Sequence, residues 1–268
     1  DSKSNHPQAQ RAVSLFCLFQ VTYTLLLWMP IFYDYQKAVG LNDAQIFNIQ
    51  SWYYFSFCFL EIPTGFVADR FGHRNCMIVG AILHVITSLI PVFLLSYYGF
   101  LSHWLLLALS RSLVSGAASA FLYNKLEKLQ QVELYKGAEG QARAYSLYAR
   151  VVGFASVGFM SQIHISVPYI LTAAASVIAI GAALAMGHLD KPTATEKPPA
   201  PKEQPRFKEI GRLLWTNPHL VLLMVQGIGI FVLTRIVQVN LFQPLLQQSG
   251  WSRDWLGPIL AINTIFEA

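Results

Sequence analysis

The sequence has few charged residues. Charged side chains make up only 12% of its 268 residues, whereas hydrophobic residues make up 54%. A soluble globular domain carries about 25% charged residues, so this chain has too few charges to cover a water-exposed surface. The mean hydropathy of +0.43 is also high. A lipid-facing surface needs no charges, and the composition therefore predicts an all-α polytopic membrane protein.

Several chemistries are also missing from the sequence. There is no phosphate-cradling glycine-rich loop followed by Lys-Ser/Thr, no histidine-rich metal pattern and no nucleophile elbow. The three cysteines, Cys17, Cys58 and Cys76, lie in or beside apolar segments without metal-ligand spacing. We therefore expect no enzyme activity, no metal and no cofactor. Without a nucleotide site, any transport would be driven by a gradient.

Long apolar runs dominate the chain. Seven have the roughly 20 residues that a transmembrane helix needs, and an eighth begins near Trp255 and is expected to continue beyond Ala268. Arg150 and Gln162 interrupt the fifth run, which is the most polar of the set. The seven runs are Ala12–Tyr33, Ile46–Ala68, Cys76–Tyr98, His103–Tyr123, Tyr145–Ile165, Val167–Met186 and His219–Leu241.

The basic residues are distributed unevenly between the runs. With the N-terminus placed inside, fourteen of the nineteen lysines and arginines fall in inner segments, and Arg150 makes a fifteenth near the inner end of the fifth run. Only Lys37 and Arg253 fall in outer segments. This bias predicts a cytoplasmic N-terminus. It also accounts for the formal net charge of +5 without nucleic-acid binding.

The runs suggest a two-bundle organisation. We expect a polar cytoplasmic tail over residues 1–11, a six-helix bundle over 12–186, a cytoplasmic linker over 187–218 and the first spans of a second bundle over 219–268. The linker is rich in proline, so it is expected to be extended. Its segment 206–215 has one apolar face and fits a short amphipathic helix on the membrane surface. The alternative is a plain extension of the next span.

A specific motif follows the second run, in the segment 65–74, which reads Gly-Phe-Val-Ala-Asp-Arg-Phe-Gly-His-Arg. Its tight turn needs the conformational freedom of Gly72, and Gly65 would let neighbouring helices approach closely. The segment resembles the signature loop of the major facilitator superfamily. The matching residues are Gly65, Ala68, Asp69, Arg70, Gly72 and Arg74.

The resemblance implies secondary transport by alternating access, with the binding site between two helical bundles. It implies that Asp69, with Arg70 and Arg74, forms a gate that holds the two bundles together in one state. The alternative is a charge cluster that only orients the protein in the bilayer. The fifth run lacks the Gly-Pro pair that marks the best-defined drug–proton antiporters of the family.

Ionisable residues inside spans are costly and therefore point to function. Arg111 lies in the fourth run and Glu61 near the inner end of the second; we expect them to act in proton coupling, although a static pairing of Arg111 is the alternative. His84 is expected to be a buried, hydrogen-bonded histidine. The residues predicted to bind substrate are Gln20, Tyr23, Gln50, Tyr54 and Arg235.

Together these features predict a proton-coupled transporter of a small molecule, with a slight lean to export. We expect it to act as a monomer in the lipid bilayer of a bacterial cytoplasmic membrane, with the small-molecule substrate and protons as its partners. Two alternatives remain open. The chain would otherwise be a passive facilitator or uptake permease, or a membrane receptor derived from a transporter.

Overall fold

The computed structural model describes residues 2–187, 212, 215–235, 244–246, 249 and 253–266. Every regular element in these ranges is helical, which confirms the all-α prediction. The elements are α1 (Ser2–Thr24), a 3₁₀ turn (Met29–Ile31), α2 (Phe32–Ala38), α3 (Asp43–Phe71), α4 (His73–Phe93), α5 (Tyr97–Lys128), α6 (Leu134–Ile163), α7 (Val167–Gly187), α8 (Pro218–Arg235) and α9 (Arg253–Phe266).

Four segments of the described chain are long and apolar enough to cross a membrane, and they correspond to the first, third, fourth and sixth predicted spans. Helices α3 and α6 have 29 and 30 residues, which is also long enough to cross a bilayer. They carry more polar side chains than the other four. The four segments are His6–Ala38, His73–Phe93, Tyr97–Lys128 and Val167–Gly187.

The first span differs from the single helix that its apolar run predicts. Helix α1 begins at Ser2, so it includes the residues predicted to form a tail, and it ends at Thr24. Pro30, which lacks a backbone N–H, lies in the 3₁₀ turn that follows. The freed backbone N–H of Leu27 donates to the Thr172 hydroxyl at 3.0 Å. The break is therefore stabilised by a side chain of α7, which the local sequence does not reveal.

Helices α1, α3, α4, α5, α6 and α7 pack around a shared core. Phe16 and Phe19 of α1, Met77 of α4 and Leu122 of α5 are almost completely buried in it. Gly80 of α4 lies where a Cβ atom would approach the Ser110 carbonyl oxygen of α5 at 3.1 Å. The missing side chain thus allows α4 and α5 to pack closely, as small residues do between membrane helices.

The described chain divides into two compact units. One contains residues 1–189 and 243–268, and the other contains residues 190–242. In the first unit, α9 packs along α6, and a Cβ at Gly257 would overlap the Phe154 carbonyl oxygen. The second unit contains α8, whose apolar side chains are largely exposed. Residues 188–211 of the predicted linker, and most of its amphipathic segment, lie outside the described residues.

Candidate functional site

Arg111 lies near the middle of α5 and is partly exposed. Its guanidinium is within hydrogen-bonding reach of the Tyr53 hydroxyl, and the phenol groups of Tyr23 and Tyr54 lie within electrostatic reach. Tyr53 and Tyr23 are only 8% and 6% exposed. No carboxylate forms an ion pair with Arg111 in the part of the chain that the structure describes. Phenol oxygens from α1 and α3 therefore surround this mid-membrane charge.

The hydroxyl of Tyr23 belongs to a directed hydrogen-bond chain. The Tyr23 hydroxyl and the Ser110 hydroxyl lie 2.9 Å apart, and Ser110 donates to the Gly80 carbonyl oxygen at 2.7 Å. Because the Ser110 proton is used on Gly80, Tyr23 is the donor to Ser110. The lone pairs of the Tyr23 oxygen remain available to stabilise Arg111.

Of the residues predicted to bind substrate, the structure brings Tyr23 and Tyr54 to Arg111. Gln50 lies one turn before Tyr53 and Tyr54 on α3 and is 2% exposed. In the described part of the chain, neither of its amide atoms has a hydrogen-bond partner. Gln20 is partly exposed on α1, three residues before Tyr23. Arg235 ends α8 in the other unit, and its side chain lies outside the described residues.

Two buried histidines continue this polar interior. The ring of His84 packs edge-on against Tyr23 at 4.9 Å, and its Nδ1 lies 3.1 Å from the Ser176 hydroxyl. Ser176 donates to the Thr172 carbonyl oxygen, so His84 Nδ1 carries the proton. His103 Nδ1 lies 2.6 Å from the Thr87 carbonyl oxygen. The prediction that His84 is buried and hydrogen-bonded is confirmed.

A second site is a crevice of about 250 Å³ between α3 and α5. Glu61 is exposed there and accepts a hydrogen bond from the Ser115 hydroxyl at 3.4 Å. In the described part of the chain, Glu61 and Arg111 do not form an ion pair, so the structure does not bring the two predicted coupling residues into contact. The polar side chains lining the crevice are Glu61, Thr64, Asp69, His73, Ser112 and Ser115.

The signature loop lies at the same end of the bundle as the crevice. Gly72 separates α3 from α4 with φ at +91°, which confirms the prediction that this turn needs glycine. The close approach of helices expected at Gly65 does not occur among the described residues, because a Cβ there would meet none of their atoms within 4 Å. Gly65 instead lines the crevice beside Asp69, which is exposed. The guanidinium of Arg70 lies 5.8 Å from the ring centre of Phe71.

Arg74 has a different partner from the rest of the loop. Its guanidinium donates to the carbonyl oxygens of Ala183 at 3.1 Å and Leu184 at 2.9 Å, near the C-terminal end of α7. These carbonyls carry the negative end of the helix dipole, so the cation is stabilised there. Arg74 therefore ties the start of α4 to the end of α7.

Sequence reasoning missed several residues of these sites. Tyr53 looks like an aromatic residue of the membrane interface, yet its hydroxyl binds Arg111. Thr64 and Ser112 share a buried hydrogen bond of 2.7 Å between α3 and α5. The available signal was the run of hydroxyl residues that flank Arg111 on α5, Ser110, Ser112 and Ser115. Among the described residues, no three His, Cys, Asp or Glu side chains are grouped as metal ligands would be.

Comparison with known proteins gives a clear family. No curated protein sequence matches the chain. The structure is similar to that of PepTSo, a POT family transporter, with a TM-score of 0.63, 15% identity and coverage of 98% of this chain and 55% of that one. It is also similar to the nucleoside transporter NupG, with a TM-score of 0.66, 12% identity and coverage of 97% and 62%.

Both neighbours are longer proteins, and this chain spans 55% of the length of one and 62% of the other. Their low identity makes them evidence for the fold alone. The sequence profile described as Major Facilitator Superfamily matches residues 11–267, which is nearly the whole chain. The signature loop at residues 65–74 lies between α3 and α4, as the resemblance requires. The chain is an integral, multi-pass membrane protein that belongs to the major facilitator superfamily.

Proposed function

We propose that this protein is a secondary active transporter that moves a small molecule across the membrane by alternating access, coupled to protons, with a lean to export. The observation that carries the proposal is Arg111, a partly exposed cation in the middle of α5 within a cluster of buried phenols. A charge at this depth is costly unless a function retains it. Membership of the major facilitator superfamily and the similarity to two transporter structures also support a transport function.

We propose a cytoplasmic N-terminus in a bacterial cytoplasmic membrane, as the distribution of lysine and arginine indicates. The crevice beside Asp69 then opens on the cytoplasmic side. Asp69 is exposed there, so a helix of the second bundle can contact it, and Arg70 and Arg74 flank it. Asp69, Arg70 and Arg74 would form the cytoplasmic gate, with Arg74 holding the end of α7.

Glu61 and Arg111 would serve coupling from separate positions. Glu61 is an exposed carboxyl group of the crevice, so protons can reach it from water. Arg111 keeps its charge at any physiological pH and would provide the fixed cation of the transport site. Protonation of Glu61 would then change the charge of the crevice, while Arg111 would keep a fixed positive charge in the transport site.

The test uses protein from the complete reading frame in liposomes with an imposed pH gradient and an internal pH dye. Pools of lipophilic cations, sugars, amino acids and organic anions are added in turn. We expect one pool to drive proton movement, and we expect Arg111→Ala and Glu61→Gln to abolish it. Arg11→Ala, an exposed cation on α1, is the matched control and should behave as the parent protein.

Other outcomes would favour the alternative functions. Substrate equilibration without proton movement would identify a passive facilitator. Absence of flux with every pool, in protein that is correctly inserted, would favour a receptor.

A further inference from the structure

The charge of Arg111 has no acidic partner among the described residues. The groups that stabilise it are the phenol oxygens of Tyr53, Tyr23 and Tyr54. Neutral hydroxyls satisfy hydrogen bonds but do not cancel a full charge in a low-dielectric interior. Glu61, the acid of the nearby crevice, is bound to Ser115 instead. Among the described residues, the site therefore carries a net positive charge.

The geometry of the donors fits an incoming anion. A guanidinium presents five N–H groups in a planar fork that matches a carboxylate, and Tyr53 accepts from only part of that fork. Because Tyr53 uses its oxygen as the acceptor, its own O–H proton is available for donation. Tyr23 is different, since its proton is used on Ser110. Arg111 and Tyr53 can thus both donate to one anion.

Gln50 supplies an independent observation. It is 2% exposed, and neither of its amide atoms has a partner among the described residues. A buried amide without a hydrogen bond costs free energy, so its presence calls for a ligand or a bound water. Gln50 lies three and four residues before Tyr53 and Tyr54, which places the three side chains on one face of α3. The same face therefore carries an unpaired donor and acceptor beside the cationic site.

We propose that the transported molecule supplies the missing counter-ion, as a carboxylate that binds Arg111 and Tyr53, with the amide of Gln50 contacting its polar remainder. The substrate is then a small organic anion. This inference rests on the proposed transport function and names its substrate class. A neutral molecule of the same shape would leave Arg111 without a counter-ion and would bind more weakly.

The test is a binding measurement that does not depend on transport. Trp104 packs edge-on against Tyr53 with ring centres 5.0 Å apart, so occupancy of the site is expected to change its fluorescence. The purified full-length protein is titrated with the matched pairs benzoate and benzamide, and succinate and succinamide. Ionic strength is held constant with sodium chloride, and the thermal midpoint is recorded in parallel.

We expect at least one carboxylate to bind at least about tenfold more tightly than its amide, because charge-assisted hydrogen bonds are the stronger ones. Arg111→Gln should remove that preference, and Arg111→Lys should restore only part of it. Arg11→Gln should leave it intact. If Arg111→Gln does not fold, Tyr53→Phe and Gln50→Leu provide the test, and each should weaken the carboxylate several-fold.

Two results would overturn the inference. One is equal affinity for acid and amide in both pairs, and the other is a carboxylate preference that survives Arg111→Gln. The liposome assay separates this failure from failure of the proposed function. Proton movement driven by a cation or a sugar, without carboxylate binding, would retain coupled transport and reject the anion. Carboxylate binding without any flux would retain the anion site and reject coupled transport.

Discussion

The guanidinium of Arg74, at the start of α4, donates to the carbonyl oxygen of Leu184 at 2.9 Å, near the end of α7. A second bond reaches the Ala183 carbonyl oxygen at 3.1 Å. The Leu184 carbonyl is one of the last four of α7, so Arg74 supplies a hydrogen bond that the end of the helix cannot make internally. One residue of the signature loop therefore has a structural role within the bundle, in addition to its proposed part in the gate.

Arg74→Gln is expected to lower the free energy of unfolding by about 1–2 kcal/mol, because it removes a cation from the C-terminal end of α7. The measurement is the thermal midpoint of the protein in detergent. Arg70→Gln is the control, since Arg70 is exposed and its described contact is the ring of Phe71. Equal shifts for the two variants would contradict the role assigned to Arg74.

The same contact can be tested from its other side. A Cβ at Gly187 would overlap the guanidinium of Arg74, so Gly187→Ala should displace that group from α7. Arg74→Gln and Gly187→Ala then remove the same interaction between Arg74 and α7. The double variant should therefore be little less stable than either single variant. Additive losses would show that the two residues act independently.

Gly80→Val is expected to destabilise the protein by about 1–3 kcal/mol, because the new side chain overlaps Val114 and crowds the Ser110 carbonyl oxygen. It should also disturb Ser110, whose hydroxyl donates to the Gly80 carbonyl oxygen. Gly181→Ala is the matched control, since a Cβ at that glycine meets nothing within 4 Å. Thermal unfolding of both variants gives the comparison, and a stable Gly80→Val would refute the close α4–α5 contact.

Asp43, in the first turn of α3, gives a prediction about pH. Hydrogen bonds from the Tyr33 hydroxyl at 2.7 Å and the Lys37 ammonium at 2.9 Å hold the pKa of its carboxyl group below the ordinary value. A lowered folded-state pKa stabilises the fold above the ordinary aspartate pKa, and this contribution is lost as the pH falls through the folded-state pKa.

The thermal midpoint of Asp43→Asn should therefore lie slightly below that of the parent protein near neutral pH, and the difference should shrink in acid. The effect is small because the pair is exposed, with side chains 41% and 58% accessible. Lys37→Met, which removes one of the two donors, should lower the thermal midpoint near neutral pH by a smaller amount. A difference between the two midpoints that grows in acid would contradict the lowered pKa of Asp43.

Asp69→Asn tests the gate. It is expected to lower turnover by about tenfold, equivalent to about 1.4 kcal/mol in the activation barrier, because an amide cannot make the ionic contact that we propose closes the crevice. Asp69 is exposed, so the thermal midpoint should not change. Asp69→Glu should retain part of the activity. Unchanged turnover of Asp69→Asn in correctly inserted protein would remove Asp69 from the gate.

Much of the fold could be predicted from the sequence, because hydropathy depends only on the local chain. The runs Cys76–Tyr98 and Val167–Met186 lie close to α4 and α7. Helix α6 begins at Leu134, eleven residues before its predicted span, because its first three turns are polar and carry no hydropathy signal. The break after Thr24 depends on Thr172, which is distant in sequence.

The candidate site could be predicted only in part. Gly72 and Asp69 follow from a motif, which is a property of contiguous residues. The partners of Arg111 come from α1 and α3, and nothing in the sequence around Arg111 indicates that phenols rather than Glu61 would surround it. The orphaned amide of Gln50 is likewise visible only after packing.

The most direct test of the proposed function is the accumulation ratio of an identified substrate in liposomes, measured with and without a pH gradient. A proton-coupled transporter should concentrate the substrate on one side to a ratio well above one, and the ratio should return to one when an uncoupler dissipates the gradient. Arg111→Ala should not accumulate substrate. A ratio of one under every gradient, with rapid equilibration, would contradict coupled transport.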